Sequence, residues 1–231
     1  MRSCCKKCKA QAYSALAQLV EQMTVNHWVA GSSPAGGAKK MQHQNAIADD
    51  ITIKNGWLSH CRHLKSSNYN QRPTGEQISL LVIHNISLPL GQFGNGHIEN
   101  FFCNQLDIDA DPCFTSIADL QVSAHLLINR LGDITQFVSF ENRAWHAGYS
   151  SFQGRDNCNN FSIGIELEGT DTIPYTDDQY NSLNRVTQLL ISTYPRLTVE
   201  RIVGHCDIAP TRKTDPGPAF DWKRYRQAIK T

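Results

Sequence analysis

Residues 204–222, GHCDIAPTRKTDPGPAFDW, bring side chains that could do chemistry into one short segment. Its three prolines and two glycines indicate an irregular but fixed backbone, because proline locks φ and glycine opens conformations closed to other residues. His205 and Asp215 are nitrogen and oxygen donors of the kinds that zinc accepts, and Lys213 lies on the same side as Asp215 if the chain is extended. The segment therefore predicts part of a metal site on a loop.

His84 is the histidine that best completes this set. Most of the nine histidines are expected to be solvated or hydrogen-bonded rings with a structural role. His84 differs because it lies in SLLVIHNI (79–86), an apolar run that predicts a buried strand, where a polar ring needs a partner. With His205 and Asp215 it leaves the fourth tetrahedral position of one zinc ion for water. The remaining positive charge can lower the pKa of that water to about 7, as in catalytic zinc sites.

Two residues next to His205 compete with this ligand set. Cys206 offers a soft thiolate, but neighbours in a strand point to opposite faces, so we rank it below the histidine. Asp207 is interpreted as a structural carboxylate or as one that orients an imidazole. The sequence therefore favours two histidines and Asp215 as ligands.

A second strand, FSIGIELEG (161–169), carries a candidate acid. Alternation places Gly164, Glu166 and Glu168 on one face of this strand. A glycine at 164 leaves room beside Glu166, which suits a carboxylate facing a substrate cleft. The alternative is that the outer face of the sheet is simply solvated. The strand alone leaves both interpretations open.

The elements that must position these residues follow one another without a regular βαβ repeat. Residues 124–140, AHLLINRLGDITQFVSF, predict an antiparallel hairpin around an LGD turn. Thr176 and Gln179 form a capping box before a helix. That helix has apolar residues at helical spacing, namely Tyr180, Leu183, Val186, Leu190 and Tyr194. The remaining predicted elements are helices at 97–106 and 221–229 and a last strand in VERIVGH (199–205).

This order predicts an α/β fold of the α+β type, in which a single mixed β-sheet is flanked by helices. The candidate ligands then lie at strand ends and in loops. Such positions bring side chains from distant parts of a chain to one rim of a sheet, where a cleft can form.

Composition limits the classes of function. A chain of 231 residues with 40% hydrophobic composition fits one domain, and no apolar run approaches the roughly 20 residues of a membrane-spanning helix. Residues 1–40 hold six Lys or Arg against one acid, so the net charge of +1 leaves residues 41–231 near −4. A mildly acidic body lacks the basic surface of a nucleic-acid or anionic-membrane binder. We therefore expect a small or sugar-like substrate.

The eight cysteines do not form a disulfide framework, because three crowd the first ten residues and the other five are scattered. This distribution favours a reducing cytoplasm.

Residues 1–40 are expected to be a spurious or disordered extension. They begin with basic residues, but the apolar stretch that follows is interrupted by polar ones and makes a poor secretory leader. The CCxxC cluster at residues 4–8 lacks a second ligand pair at finger spacing. LVEQMTVNHWVAGSSPAGGA resembles the product of translating a transfer-RNA gene. We therefore expect the true start at Met41 and a functional domain at 41–231.

Several segments of the body together resemble the AmpD-type amidases. They are VIHN at 82–85, AWHAG at 144–148, IGIELEG at 163–169, the segment 204–222, and SSNYNQRP at 66–73, which has Ser67 where proline is usual. The resemblance runs from about Trp57 to Tyr225. It implies a 1,6-anhydro-N-acetylmuramyl-L-alanine amidase of the zinc N-acetylmuramoyl-L-alanine amidase family, with a peptidoglycan-recognition-like fold.

The resemblance also implies a reaction and a set of site residues. The reaction is hydrolysis of the amide bond between (1,6-anhydro-)N-acetylmuramic acid and the L-alanine of the stem peptide, in cytoplasmic peptidoglycan recycling. The resemblance implies that His84, His205 and Asp215 bind one zinc ion. The catalytic carboxylate falls on Glu166, and the positively charged stabiliser on Lys213. Substrate contacts are placed by position on Asn85, Trp145, His146 and Arg155. A muropeptide is the expected partner of a monomer that binds neither nucleic acid nor membrane.

Two other functions remain open at this point. A noncatalytic module could keep the fold and bind muropeptides without cutting them, but it would not need a full ligand set together with Glu166 and Lys213. A secreted autolysin would act on the intact wall, and we expect it to carry a cleavable leader or wall-binding repeats.

Overall fold

The computed structural model describes residues 51–230. The expected extension at 1–40, the expected start at Met41 and the first ten residues of the expected domain lie outside the described residues. Within residues 51–230 the strands are β1 (Ile53–Lys54), β2 (Trp57–Leu58), β3 (Arg62–His63), β4 (Tyr69–Gln71), β5 (Leu80–Ile86), β6 (Leu126–Ile128), β7 (Ile134–Gln136), β8 (Asn142–Ala144), β9 (Ser151–Phe152), β10 (Arg155–Asp156), β11 (Ser162–Glu168) and β12 (Ile202–Gly204). The helices are α1 (His97–Phe102), α2 (Asp177–Thr193), α3 (His205–Ile208) and α4 (Trp222–Ala228), with 3₁₀ turns at Pro112–Ile117, Cys158–Asn160 and Val199–Arg201.

A six-stranded mixed sheet forms the centre of the fold, in the order β12-β5-β11-β6-β7-β3. The neighbours β12, β5, β11 and β6 run parallel to one another. The predicted hairpin is the antiparallel pair β6 and β7, and β3 adds to β7 in parallel at the far edge. A mixed sheet with helices packed against it confirms the predicted fold class.

Helix α2 covers one face of the central strands. Its Leu183, Val186 and Leu190 share a core cluster with Ile83 of β5 and Ile165 of β11. Burying each such side chain stabilises the fold by about 1.5–3 kcal/mol. The positions of these apolar residues therefore determine which face of each strand turns toward the helix.

The predicted capping box starts α2 as expected. The Gln179 N–H donates to Thr176 Oγ1, and the Thr176 N–H donates to Gln179 Oε1, both at 3.1 Å. These two bonds satisfy backbone donors that the first turn of a helix leaves unpaired.

The opposite face of β5 and β11 carries the site. Leu80 and Val82 on this face pack with Phe161, Val203 and Ile208 in a second apolar cluster. The face continues into polar residues toward the carboxyl ends of the strands. Because both faces of β11 are covered, every residue of that strand is buried, as expected for a central parallel strand.

Two elements differ from the sequence prediction. The helix expected at 97–106 ends at Phe102, and Val199–Arg201 forms a 3₁₀ turn before the short strand β12. Among residues 51–230, no helix combines the length and the apolar character needed to cross a membrane.

Candidate active site

His84, His205 and Asp215 meet at the carboxyl ends of β5 and β12. Gly204 of β12 pairs with Ile83 of β5, so the residues that follow each of them lie side by side. The Nδ1 atom of His84 lies 3.0 Å from His205 Nδ1 and 3.1 Å from Asp215 Oδ2. His205 Nδ1 is also 3.1 Å from Asp215 Oδ2, so the three atoms form a nearly equilateral triangle.

This triangle has the size and the chemistry for one divalent cation. An ion with tetrahedral bonds of zinc length spaces its ligand atoms about 3.3 Å apart, close to the spacing in the triangle. Two imidazole nitrogens and a carboxylate oxygen are donors that zinc accepts. All three side chains are largely buried, with exposures of 1% for His84, 4% for His205 and 9% for Asp215. The convergence expected from the sequence is therefore present in the fold.

The loop that carries Asp215 is tied down at several points. The Cys206 N–H donates to the Asp215 carbonyl at 3.0 Å, and the Tyr175 hydroxyl donates to the Pro216 carbonyl at 2.7 Å. Gly217 has φ +76° and packs so closely that an added Cβ would lie 2.2 Å from Asp171 Cα. The glycine thus meets two requirements at once, since it adopts a left-handed conformation and allows close packing. These contacts hold in place the segment 204–222, whose backbone the sequence predicts to be fixed.

The burial of the cluster changes the ionisation of its members. Burial, assisted by the charge of His205, lowers the pKa of His84 to about 4. Burial also acts to raise the pKa of Asp215, but the charge and hydrogen bonds of His205 and His84 outweigh it and hold that pKa well below its usual value. The carboxylate is therefore ionised and the His84 ring neutral at pH 7, which are the forms that bind metal.

Glu166 stands next to this cluster. It pairs in register with His84 on the neighbouring parallel strand, and it is 8% exposed. Its Oε2 atom is buried and has no hydrogen-bond partner among the described residues. Burial and the charge of Asp215 raise the pKa of Glu166 well above its usual value, and the charge of Lys213 acts in the opposite direction. A buried carboxylate oxygen without a partner, beside a candidate cation site, fits a group that exchanges protons with a water or substrate.

The comparisons with known proteins agree with this geometry. A family model described as N-acetylmuramoyl-L-alanine amidase matches residues 74–218. The chain belongs to the N-acetylmuramoyl-L-alanine amidase family. This membership confirms the family and the enzyme class expected from the sequence.

Individual relatives are similar over nearly their whole length. The 1,6-anhydro-N-acetylmuramyl-L-alanine amidase AmpD of Haemophilus influenzae is 53% identical over 178 residues, which cover 77% of this chain and 97% of that protein. The protein of the same name from Escherichia coli is 56% identical over 179 residues, covering 78% and 97%. A crystal structure of a selenomethionine AmpD derivative matches with a TM-score of 0.75 at 55% identity, covering 77% of this chain and 98% of that one.

The competing residues have other roles in this amidase. Cys206 lies outside the group of ligand atoms, and burial, with the charges of Asp207 and Asp215, raises the pKa of its thiol to about 11. It lies in the first turn of α3 rather than in a strand, so the alternation argument against it does not apply. Asp207 Oδ2 accepts the Gly204 N–H at 2.7 Å, so it caps α3 rather than orienting any imidazole of the described residues.

The remaining acid of β11, Glu168, has a structural role. Its Oε1 accepts the Gly94 N–H at 2.6 Å, and its Oε2 accepts the Arg130 N–H at 3.1 Å. With every residue of the strand buried, the interpretation of this face as solvated is wrong.

The four residues assigned to substrate binding by position occupy different places. Asn85 Nδ2 donates to Asp171 Oδ1 at 2.8 Å, and Trp145 Nε1 donates to Asn70 Oδ1 at 3.0 Å. His146 Nδ1 lies 2.9 Å from His84 Nε2, directly behind the cluster. Of these three, His146 contacts a member of the cluster directly, whereas Asn85 and Trp145 donate to Asp171 and Asn70.

Arg155 is not brought to the cluster. Its guanidinium bonds to Glu76 at 2.8 Å and stacks on Phe161, with 3.9 Å to the ring centroid. Phe161 precedes β11, about 16 Å along the strand direction from Glu166 at about 3.3 Å per residue. Arg155 therefore packs at the opposite end of the central strands.

Arg72 is a residue whose structural importance the sequence analysis missed. It donates to carbonyl oxygens of Phe140, Asn159, Asn160 and Ser162 at distances from 2.8 to 3.2 Å. Burial lowers the pKa of its guanidinium to about 10. Its position within SSNYNQRP was the available signal, but the carbonyls it binds lie about 70 to 90 residues away in the sequence.

Proposed function

We propose that this amidase hydrolyses the bond between the lactyl carbonyl of 1,6-anhydro-N-acetylmuramic acid and the L-alanine nitrogen of the stem peptide, using one zinc ion. The observation that carries the proposal is the triangle of His84, His205 and Asp215 ligand atoms at 3.0 to 3.1 Å. Beside it lies Glu166 Oε2, which finds no hydrogen-bond partner within residues 51–230. The specific substrate is supported by two relatives named 1,6-anhydro-N-acetylmuramyl-L-alanine amidase, which are 53% and 56% identical to this chain over 97% of their length.

His84, His205 and Asp215 would hold the metal. When bound there, zinc acts as a Lewis acid that makes a water more acidic and polarises the amide carbonyl. The ionised Asp215 neutralises only one of the ion's two positive charges.

Glu166 serves as the proton shuttle. Its carboxylate takes a proton from the attacking water as the new C–O bond forms. It then delivers that proton to the alanine nitrogen as the C–N bond breaks, so that a carboxylic acid and a free amine leave. The raised pKa of Glu166 suits this double role, because a shuttle works best when its pKa approaches the pH of the reaction.

Lys213 stabilises the negative charge that develops on the carbonyl oxygen. Its charge is near enough to influence the pKa values of both Glu166 and His84. Its backbone N–H donates to the Ala209 carbonyl at 2.9 Å, which anchors the residue at the base of the Asp215 loop. A cation at this position is worth most where water is excluded.

Substrate contacts are proposed for Asn85, which follows His84 on β5, and for Trp145. Trp145 follows β8, and its ring edge is held by Asn70. An indole fixed in this way offers a flat apolar surface to a sugar ring or a peptide.

The reaction is proposed to take place in the cytoplasm, as part of peptidoglycan recycling, by a monomer without nucleic-acid or membrane partners. The five cysteines of the described range are free thiols, which suits a reducing compartment. Cell fractionation and light scattering on the purified protein test the location and the monomer.

The decisive experiment incubates the purified protein with a defined anhydro-muropeptide and, separately, with intact sacculi, and follows peptide release by mass spectrometry. We expect release from the anhydro-muropeptide, loss of release after chelation, and recovery on adding zinc. Binding without release would favour the noncatalytic module. Preferential release from sacculi would favour the autolysin.

A further inference from the structure

The two ring nitrogens of His84 face different partners. Nδ1 is one corner of the ligand triangle, while Nε2 lies 2.9 Å from Nδ1 of His146. The two rings meet edge to face, with centroids 5.0 Å apart and an interplanar angle of 83°. On its far side, His146 Nε2 lies 3.0 Å from Ser162 Oγ.

We propose that His146 is a positioning residue that fixes the tautomer and the ring orientation of His84, so that the Nδ1 lone pair faces the ligand triangle. This inference rests on the proposed zinc site. It also replaces the placement of His146 among the substrate contacts, because both of its ring nitrogens are already engaged within the protein.

The protons along this chain have one consistent arrangement. If His84 binds a cation through Nδ1, its single N–H is on Nε2 and must donate to His146 Nδ1. His146 then carries its own proton on Nε2 and donates it to Ser162 Oγ. Reversing the tautomer of His146 would place two N–H groups against each other at 2.9 Å. Metal-binding histidines generally have such a partner on the second nitrogen, and that partner determines which nitrogen is free.

Gly164 provides the space for the His146 ring. A Cβ at position 164 would lie 2.4 Å from His146 Cγ and 2.5 Å from His146 Nδ1. The backbone of Gly164 is also fixed, because its N–H donates to His125 Nδ1 at 3.0 Å and its carbonyl accepts the His125 N–H at 3.1 Å. Any side chain at 164 must therefore displace the imidazole rather than the strand.

Three substitutions separate the hydrogen bond from the bulk of the ring. His146→Phe keeps the ring size and removes the acceptor. His146→Asn keeps an acceptor, since its Oδ1 can occupy the place of Nδ1. Gly164→Ala keeps the imidazole but pushes it away from His84. His63→Gln is the matched control, because His63 lies on β3, at the opposite edge of the central sheet from β12.

The experiment measures zinc dissociation constants by competition with a chromophoric chelator, with thermal melting of the zinc-free proteins as a check on folding. We expect His146→Phe and Gly164→Ala to bind zinc about 10 to 100 times more weakly, and His146→Asn and His63→Gln to stay near wild type. In the zinc-loaded wild type, NMR should detect a through-hydrogen-bond ¹⁵N coupling between His84 Nε2 and His146 Nδ1.

The outcomes distinguish this inference from the proposed function. A wild-type protein that binds no zinc would overturn both. Normal zinc binding by the wild type together with unchanged affinity in His146→Phe and Gly164→Ala would overturn only the role of His146. If His146→Phe fails to fold, Gly164→Ala and the ¹⁵N coupling decide, and absence of both effects would count against the assignment.

Discussion

Glu166 and His84 are direct neighbours across the parallel strands β11 and β5. Side chains at paired positions on one face of a sheet lie about 5 Å apart, so the carboxylate stands beside the imidazole without the help of a loop. The hydrogen-bonded backbone of two buried strands therefore fixes the proposed proton shuttle relative to a proposed metal ligand. This arrangement separates the chemistry of Glu166 from metal binding, and the two can be tested independently.

Replacing Glu166 by Gln should abolish most of the activity and leave the metal in place. Gln has nearly the same shape but cannot take up a proton, so we expect kcat to fall by a factor on the order of 10² to 10⁴. Elemental analysis should find the zinc content of the wild type. Near-normal turnover by Glu166→Gln would contradict the assignment of the shuttle.

Replacing His84 by Ala should instead abolish metal uptake. The change leaves two of the three ligands and removes a ring with 1% exposure from the centre of the cluster. Elemental analysis after dialysis should show little zinc in His84→Ala and a full complement in the control His63→Gln. Retention of one equivalent of zinc by His84→Ala would show that the ligand set is different.

Removing the charge of Lys213 should slow the reaction without loss of zinc. We expect Lys213→Met to lower kcat by a factor on the order of 10² to 10³, the scale for losing one oxyanion donor, with a smaller change in KM. Lys65→Met is the control, because Lys65 is exposed and lies two residues after β3, and this variant should behave as wild type. Equal rates in both variants would rule out charge stabilisation by Lys213.

The proposed metal ligands could be selected from the sequence because local features mark them. His84 interrupts an apolar strand, and Asp215 lies on a segment stiffened by proline and glycine. Alternation along β5 places Leu80, Val82 and His84 on one face, and Leu80 and Val82 share the second apolar cluster. Alternation in a buried strand is determined by the backbone, so a short pattern is sufficient to assign it.

The contacts of His146, Gly164 and Arg72 could not be predicted in the same way. Gly164 was expected to leave room beside Glu166, whereas the space above it is occupied by the ring of His146. That contact joins β11 to the segment after β8, and the bonds of Arg72 join residues far apart in sequence. Such contacts depend on how loops pack against the sheet. The periodicity and composition of the sequence carry no information about that packing.

The buried bonds of Arg72 give a prediction about stability. Arg72→Met leaves several buried carbonyl oxygens without a donor, each costing about 1–3 kcal/mol, so we expect a loss of about 3–5 kcal/mol in the free energy of unfolding. Arg155→Met removes a partly exposed ion pair with Glu76 and a ring contact, and should cost only about 1 kcal/mol. Urea denaturation of the two variants measures the difference, and equal losses would contradict the structural role of Arg72.

His125 gives a prediction about pH. Its Nδ1 accepts the Gly164 N–H, its Nε2 lies 3.1 Å from the Asn142 carbonyl, and Arg72 and the His146 ring also face it. Burial, with the charge of Arg72, lowers the pKa of His125 to about 3. In the unfolded chain the pKa of His125 is near 6.5, so between about pH 6.5 and pH 3 the unfolded state binds a proton that the folded state does not bind. The stability that His125 contributes is therefore fully present above pH 6.5 and falls as the pH is lowered toward 3.

From pH 8 to pH 5 this effect amounts to about 2 kcal/mol. His125→Gln keeps an N–H near the Asn142 carbonyl but cannot titrate. In zinc-free protein we therefore expect wild type to lose about 2 kcal/mol more unfolding free energy than His125→Gln over this range, because the other titrating groups are common to both and cancel. Urea titrations at pH 8 and pH 5 measure this difference. Parallel losses in the two proteins, or an NMR titration of His125 near pH 6.5 in the folded state, would show that the ring is not held neutral by its surroundings.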